Sequence, residues 1–310
     1  MTSNSNGQGH APDVSVVVST RNRENDILPC VQSILASDHG SFELVVVDQS
    51  DSNTSRSAVM ASVSDSRLHW IKTSTRGLSI SRNIAVENVR APLIVFTDDD
   101  CRVPTDWVAS VERVFRDDPD AALVFGRVQK GAGADDGGFA AEFEPPPRAF
   151  YQNEFPSVTE AWGIGANMAL RRSTLDLTGP FDPSLGAGAR FRGGEDADIM
   201  IRVLGAGLKV VFTQETTVTH LGVRAGEDAS KLMRGYGIGM GATLAKHLRL
   251  GKRGGRKLFS DWVSIQGRRA LENALRGVHP SGLGLVAFSV WGAAKSCMLR
   301  VDSRRAVYDE

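Results

Sequence analysis

Cysteine is scarce. Cys30, Cys101 and Cys297 stand far apart in 310 residues and never in a C-x-x-C pair. That excludes a disulfide framework and a structural zinc site, and it suits a reducing cytosol. No apolar run reaches the ~20 residues needed to cross a bilayer. The most apolar stretch, Gly282–Ala294, is ended by Lys295 and Arg300. It reads as a buried helix or as a helix lying on a membrane surface. Met1 to Pro12 is polar and rich in Gly, Ser and Asn, without an apolar core. It reads as a loose tail rather than a signal peptide. Interleaved aromatic and basic residues of the kind that stack bases are missing too, so no nucleic acid is expected as partner. Nor is there an internal repeat of about 20–50 residues. Charge of one sign is not in excess, with 36 Lys+Arg against 36 Asp+Glu. With 41% hydrophobic and 23% charged residues, disorder of the whole chain is excluded.

The zero net charge conceals an asymmetry. From Lys231 onward 15 basic residues face 5 acidic ones, so this part carries +10 and the rest −10. The basic part reads either as a solvated helical face or as a surface held against anionic lipid. Ahead of it lie four short β-branched or apolar runs, Val14–Ser19, Leu44–Asp48, Leu68–Lys72 and Pro92–Thr97. Segments suited to helices separate them, at Asp26–Ala36, Ser52–Val63 and Leu78–Val89. Apolar strands alternating with helices predict a doubly wound, mostly parallel α/β sheet, whose ligands bind beyond the strands' carboxyl ends. No G-x-G-x-x-G follows the first strand, which excludes a dinucleotide-binding dehydrogenase. Ser19-Thr20-Arg21-Asn22 is not Gly-rich either, which counts against a nucleotidyltransferase phosphate loop. Gly131–Pro147 is a Gly/Ala/Asp/Pro-rich loop that reads as a linker or lid. Further on, a helix begins near Glu195 and is ended by Gly205 and Gly207. Two short strands follow it, Lys209–Thr213 and Thr217–His220, and then a helical pattern containing the Gly-rich Tyr236–Ala242.

Polar residues stand where such a sheet would use them. Asp98-Asp99-Asp100 follows the fourth strand. On an extended turn Asp98 and Asp100 point the same way, a pair of hard oxygen ligands for Mg²⁺ or Mn²⁺ and, through the ion, for a diphosphate. The competing reading is a solvated acidic turn that caps a helix. Glu195 and Asp196 follow Gly193-Gly194. Acids at a helix N-terminus are favoured by the dipole alone, yet the same place suits a catalytic base. His220 ends a strand and is either structural or a metal ligand.

Taken in order, VSVVVSTRNR, LVVVDQSDSN, RGLSISRNIA, LIVFTDDDC, GANMALRR, GPFDPSLG, GGEDADIMIRVLGAG and TVTHLG resemble glycosyltransferase family 2 between Val14 and Gly222. The resemblance implies a GT-A fold and an inverting transfer from a nucleotide-diphosphate sugar. In that reading Thr20, Arg21 and Asn22 line the nucleotide pocket and Asp48 hydrogen-bonds the base, uracil in most members. Gly77, Arg82 and Asn83 approach the nucleotide and its phosphates. Asp98 and Asp100 are the two aspartates of the DxD motif, with Asp99 between them counted at the donor site. Asp98, Asp100 and His220 would hold Mn²⁺ or Mg²⁺. Gly165 to Asn167 would border the sugar. Asp196 would be the base, with Glu195 positioning the acceptor. Gln49 stands where the family often has a second acid.

The implied domain plan is a tail (1–12), a catalytic unit (13–225) and a basic helical region (226–310). The catalytic unit would divide into a nucleotide-binding half (13–130) and a sugar and acceptor half (131–225). The acceptor would be a saccharide or a lipid-linked sugar in surface polysaccharide or glycolipid synthesis. The expected location is cytoplasmic, with peripheral contact on the membrane's inner face. The rival from another class is a non-catalytic nucleotide-binding or membrane-surface module that keeps the fold.

Overall fold

The computed structural model describes residues 11–131, 139–156, 163–251, 254–275 and 281–309. Residues 1–10 of the expected tail and 132–138 of the expected lid lie outside these. The first half alternates β1 (Val14–Thr20), α1 (Glu24–Leu35), β2 (Phe42–Asp48), α2 (Thr54–Ser62), β3 (Leu68–Lys72), α3 (Leu78–Asn88) and β4 (Leu93–Asp98). Then come β5 (Cys101–Arg102), α4 (Trp107–Asp117), β6 (Ala121–Lys130), β7 (Phe139–Ala140) and β8 (Arg148–Tyr151). A 3₁₀ turn at Gly165–Asn167 leads into β9 (Met168–Arg171), α5 (Arg172–Thr178), α6 (Glu195–Gly205), β10 (Lys209–His220) and β11 (Val223–Arg224). The chain ends in α7 (Gly226–Arg249), α8 (Gly255–Leu275), α9 (Ser281–Ser296), β12 (Arg300–Asp302) and β13 (Val307–Asp309).

The main sheet runs β3-β2-β1-β4-β9-β6-β10-β5, with β8 also on β10. Strands β1 to β4 pair in parallel, as do β6 and β10, while β9 runs against both of its neighbours. Period-two alternation explains why its strands read as unbroken apolar runs: both faces are covered. Val14, Val16 and Val18 pack with α1 and α4 on one face. Val17, Val45, Ile94 and Phe96 pack with α3, α5 and α6 on the other. Helix α4 buries Trp107, Val108, Val111, Val114 and Phe115, a stripe at helical spacing.

One expectation is corrected. The strands expected at Lys209–Thr213 and Thr217–His220 are a single strand, β10. It stays paired with β6 while its register shifts between Thr213 and Thr217, so a bulge rather than a turn absorbs Gln214 to Thr216.

The Gly-rich Tyr236–Ala242 becomes the middle of α7, and its glycines are contact points for backbone. A Cβ on Gly239 would strike the backbone of Gly193, one on Gly241 that of Ser289 in α9, and one on Gly292 that of Ile238. Around this seam Leu185, Phe191, Ile238, Ala242 and Tyr308 form a small core, and Ile201, Leu244 and Leu258 another. Gly282–Ala294 lies within α9, where Val290 and Trp291 are exposed and Ser289 is buried. Among the described residues no helix is long and apolar enough to cross a membrane.

Candidate active site

The carboxyl ends of β1, β2 and β4 open into a cleft of about 480 Å³. Asp98 closes β4 opposite Ser19 of β1, so the acidic turn that follows is delivered to the cleft floor. Asp99 accepts a hydrogen bond from the Thr20 hydroxyl at 2.7 Å. Asp100 Oδ1 lies 3.2 Å from His220 Nε2, and its Oδ2 lies 3.2 Å from Arg23 Nη2. The Gly222 N–H lies 3.2 Å from His220 Nδ1, which turns Nε2 toward the carboxylate. Burial pushes the Asp99 carboxyl up to about 7, and neighbouring Asp100 adds to this. Burial also raises Asp98, against the pull of Arg82.

Ligand atoms of Asp100, Cys101 and His220 all lie within 4.8 Å of one another. A Cβ on Gly222 would run into the Asp100 carboxylate and the His220 ring, so glycine lets the chain pass close to both. Three consecutive acids, with Arg23 against Asp99 and Asp100, a histidine and this cradle fit a hard divalent ion.

A second cavity of about 630 Å³ adjoins the first. Both are lined by Leu78, Asp98, Phe139, Ala141, Ala187, Leu232 and Tyr236. At its inner end stand Glu195 and Asp196, in the first turn of α6, where the helix dipole favours acids. The turn needs glycine: Gly194 has φ +85°, and a Cβ there would press on Gly239 and Thr243 of α7. Arg82, buried on α3, lies 3.4 Å from Glu195 Oε1 and 3.4 Å from the Gly165 carbonyl. The Gly165 N–H in turn donates to Asp196 Oδ2 at 3.2 Å. Burial, with Asp196 alongside, pushes Glu195 up to about 7, and burial raises Asp196 too.

Asp198 anchors this end of α6 from below. Burial alone would raise its pKa, but Arg202, Lys246 and His247 together hold it well below the usual carboxylate range. Lys246 Nζ sits 2.6 Å from Asp182 and 2.7 Å from Asp198, and all three side chains are fully buried. His247 Nε2 and Arg202 Nη2 each approach Asp198 to 2.8 Å. The Tyr308 N–H of β13 donates to Asp182 at 3.1 Å.

Of the residues singled out in sequence, Thr20, Arg21, Gly77, Asp98, Asp99, Asp100 and His220 line the first cavity. Arg82, Asp98, Gly165, Glu195 and Asp196 line the second. Four others do not line either. Asp48 is fully buried, facing Lys72 at 3.2 Å and the Trp70 N–H at 3.3 Å, and Gln49 takes the cleft position beside it. Asn22 sits in the left-handed region (φ 54°) and bonds Asp51 at the rim. Asn83 ties down both the N–H and the carbonyl of Phe181. Asn167 is buried against Trp107 and the carbonyls of Arg127 and Thr216. Arg23, Cys101, Phe139 and Tyr236 were not singled out. Arg23 and Cys101 adjoin motifs that were, so proximity could have flagged them. Phe139 and Tyr236 arrive through tertiary packing, their rings edge-on with centroids 6.2 Å apart.

The family model for glycosyl transferase family 2 matches residues 15–178, more than half of the chain. The chain belongs to that family. It is a glycosyltransferase, and Glu195, Asp196 and His220 lie beyond the matched segment. A glucosyl-dolichyl phosphate glucuronosyltransferase of Haloferax volcanii is 25% identical over 229 residues, 67% of this chain and 68% of that one. The succinoglycan biosynthesis protein ExoM of Rhizobium meliloti is 31% identical over 150 residues, 46% of this chain and 43% of its own. Among solved structures, the mannosyltransferase PcManGT of Pyrobaculum calidifontis, in complex with GDP-Man and Mn²⁺, superposes with a TM-score of 0.63 at 18% identity. That match covers 93% of this enzyme and 88% of the other. The transferase thus has the GT-A architecture, a mixed α/β sheet flanked by helices.

Proposed function

We propose that the enzyme moves a sugar from a nucleotide-diphosphate donor, a UDP-sugar in the first instance, to a hydroxyl of a saccharide or lipid-linked acceptor. The product belongs to surface polysaccharide or glycolipid synthesis, as the names of the Haloferax and Rhizobium relatives suggest. One observation carries this reading. Asp98 lines both cavities, with Asp100 on the donor side and Asp196 on the other, so a reacting carbon between them would face a leaving group and a base in opposite directions.

Thr20, Arg21, Gln49 and Gly77 would take the nucleotide and its phosphates, and Arg23 and Arg76 offer cations at the rim. Asp98, Asp100 and His220 would hold Mn²⁺ or Mg²⁺, which neutralises the charge of the departing diphosphate. Asp196 would take the proton of the acceptor hydroxyl, and attack from its side gives inversion in one displacement. Its Oδ2 is held by the Gly165 N–H, and Glu195 is steadied by Arg82, so both carboxyl groups have fixed directions. Residues 13–130 would form the nucleotide half and 131–225 the sugar half, with 226–310 closing the acceptor side.

We further propose a cytoplasmic enzyme resting on the inner face of the membrane. Exposed Leu271, Leu275, Val290 and Trp291 project from α8 and α9 in the basic part of the chain, where each Lys or Arg near anionic lipid contributes about 1 kcal/mol. Leu271→Asp combined with Leu275→Asp is expected to abolish pelleting with anionic vesicles. Equal pelleting of both forms removes the idea.

The donor site is tested by thermal shift with UDP, GDP, dTDP and CMP, each with and without Mn²⁺, on wild type and Asp100→Ala. A ligand at 100 times its Kd adds about 2.7 kcal/mol. A metal-dependent rise with one nucleotide, absent from Asp100→Ala, is the expected result. No rise with any of them refutes the donor assignment.

A further inference from the structure

Arg23 stands where local rules disfavour it. It precedes α1 as the N-cap, a place that Ser, Thr, Asp or Asn fills best, and its side chain makes no capping bond there. Its charge also sits at the positive end of the helix dipole. A residue that breaks two local rules has its reason elsewhere in the molecule. Here the guanidinium spans three carboxyl groups. Nη1 donates to Asp26 Oδ2 in the first turn of α1 at 2.9 Å, Nη2 donates to Asp100 Oδ2 at 3.2 Å, and Nε lies 3.9 Å from Asp99 Oδ1. The contacts lengthen from the helix to the acidic turn, so the fork is anchored on α1 and leans on Asp99 and Asp100.

Arg82 is packed in place, its side chain 3% exposed. That of Arg23 is 28% exposed and lines the donor cleft with Arg21, Arg76 and Arg224. His220 Nε2 faces the other oxygen of Asp100, so both oxygens of this carboxylate are engaged. A divalent ion held by Asp100 and His220 needs an oxygen free of competing positive charge. A guanidinium is not deprotonated in proteins, so Arg23 releases Asp100 only by moving. A cation arriving alone repels Arg23 and offers it no partner. A diphosphate in the cleft offers it anionic oxygens that a planar fork binds well.

We infer that Arg23 is a resident counter-ion of the metal site: it holds Asp100 until a nucleotide diphosphate draws the guanidinium off, which makes binding of the divalent ion conditional on the nucleotide. The inference rests on the donor reading above and goes beyond it, because it sets the order in which the site fills. With Asp26 as the anchor, the movement is a pivot of the fork about the start of α1. By linkage, ion and nucleotide then tighten each other by the same factor.

The test measures Mn²⁺ binding by electron paramagnetic resonance of the free ion, with and without UDP or GDP, on wild type, Arg23→Gln, Arg23→Lys and Arg76→Gln. Arg76 lines the same cleft and pairs with Asp51, so its loss removes an equal charge that has no ion pair to Asp99 or Asp100 among the described residues. Each variant is first checked for the wild-type circular dichroism spectrum. Wild type should bind Mn²⁺ weakly alone and about tenfold or more tightly with the nucleotide. Arg23→Gln should bind Mn²⁺ alone about tenfold more tightly than wild type, the scale of one charge-assisted contact, and respond little to nucleotide. Arg23→Lys keeps the charge without the fork and should fall between the two, which carries the test if Arg23→Gln does not fold. Arg76→Gln should stay within about twofold of wild type in Mn²⁺ alone. Mn²⁺ alone bound no more tightly by the Arg23 variants than by wild type overturns the inference, and so does an equal gain in Arg76→Gln. A wild type whose Mn²⁺ affinity ignores a nucleotide that it binds does so as well. Tighter Mn²⁺ in Arg23→Gln, with no nucleotide bound by any form, would instead refute the donor reading and leave Arg23 as the counter-ion.

Discussion

Replacing Lys246 by Met tests whether the buried charges under α6 act as one unit. The substitution keeps the bulk and removes the cation paired with Asp182, whose carboxylate also accepts from the N–H groups of Tyr308 and Ser184. Asp198 keeps Arg202 and His247, so the damage falls chiefly on Asp182. Breaking a buried pair by removing one partner costs about 3–5 kcal/mol. At roughly 2.1 cal/mol/K of unfolding entropy per residue, 1 kcal/mol shifts the midpoint of a 310-residue chain by about 1.5 °C, so the expected fall is roughly 5–8 °C. The loss has a sign with pH. Burial already raises Asp182 despite Lys246, and without the lysine it rises further. A carboxyl with a raised folded-state pKa keeps its contribution at low pH and loses it as pH climbs past the unfolded value. The deficit of Lys246→Met is therefore larger at pH 8 than at pH 5. Adding Asp182→Asn removes the stranded charge and recovers part of the loss. Melts followed by near-UV circular dichroism at the two pH values decide it. A fall below about 2 °C at pH 8, or an equal fall at both, refutes the argument.

Asp196→Asn should cut turnover about 10²–10⁴-fold with nucleotide binding unchanged, and full turnover in an acceptor assay would remove it as base. Gly222→Ala should weaken the Mn²⁺-dependent nucleotide response, because the new methyl would displace the Asp100 carboxylate and the His220 ring; an unaltered Mn²⁺ titration would show that their placement does not matter. In metal-free buffer Glu195→Gln should gain stability relative to wild type between pH 5 and pH 8. Glu195 folds with its pKa raised to about 7, so wild type loses that contribution as pH rises while the amide does not. Melting curves that stay parallel across this range would contradict the burial of Glu195.

The parallel half of the fold was legible because its strands announce themselves twice, as β-branched runs and as polar clusters at their carboxyl ends. Asp98 to Asp100 and Glu195-Asp196 could be singled out because consecutive acids beside a strand end or a glycine turn need a physical reason. The limits are equally specific. Asp48 looked free in sequence, but Trp70 and Lys72 on the neighbouring strand occupy its carboxylate. Asn83 and Asn167 lie in motifs, and their side chains bond backbone carbonyls, a pairing that only the three-dimensional structure shows. Tyr236, Met240 and Trp262 reach the second cavity from helices whose own sequence reads as helical or glycine-rich and nothing more. Their role follows from where α7 crosses Gly193-Gly194.

That crossing has a consequence for how the enzyme can be re-aimed. Helix α7 meets the glycine turn ahead of α6 on one side and α9 on the other through main chain rather than side chains, at Gly239, Gly241 and Gly292. A joint of this kind does not depend on side-chain identity at the residues facing the cavity. Leu232 and Met233 can therefore be exchanged while the height and tilt of the wall stay as they are, whereas Met240 also packs against Ile201, Leu244 and Leu258. A bulkier residue at any of the three glycines would instead shift the wall. For directed evolution this marks α7 as a helix with one face to randomise and one to leave alone.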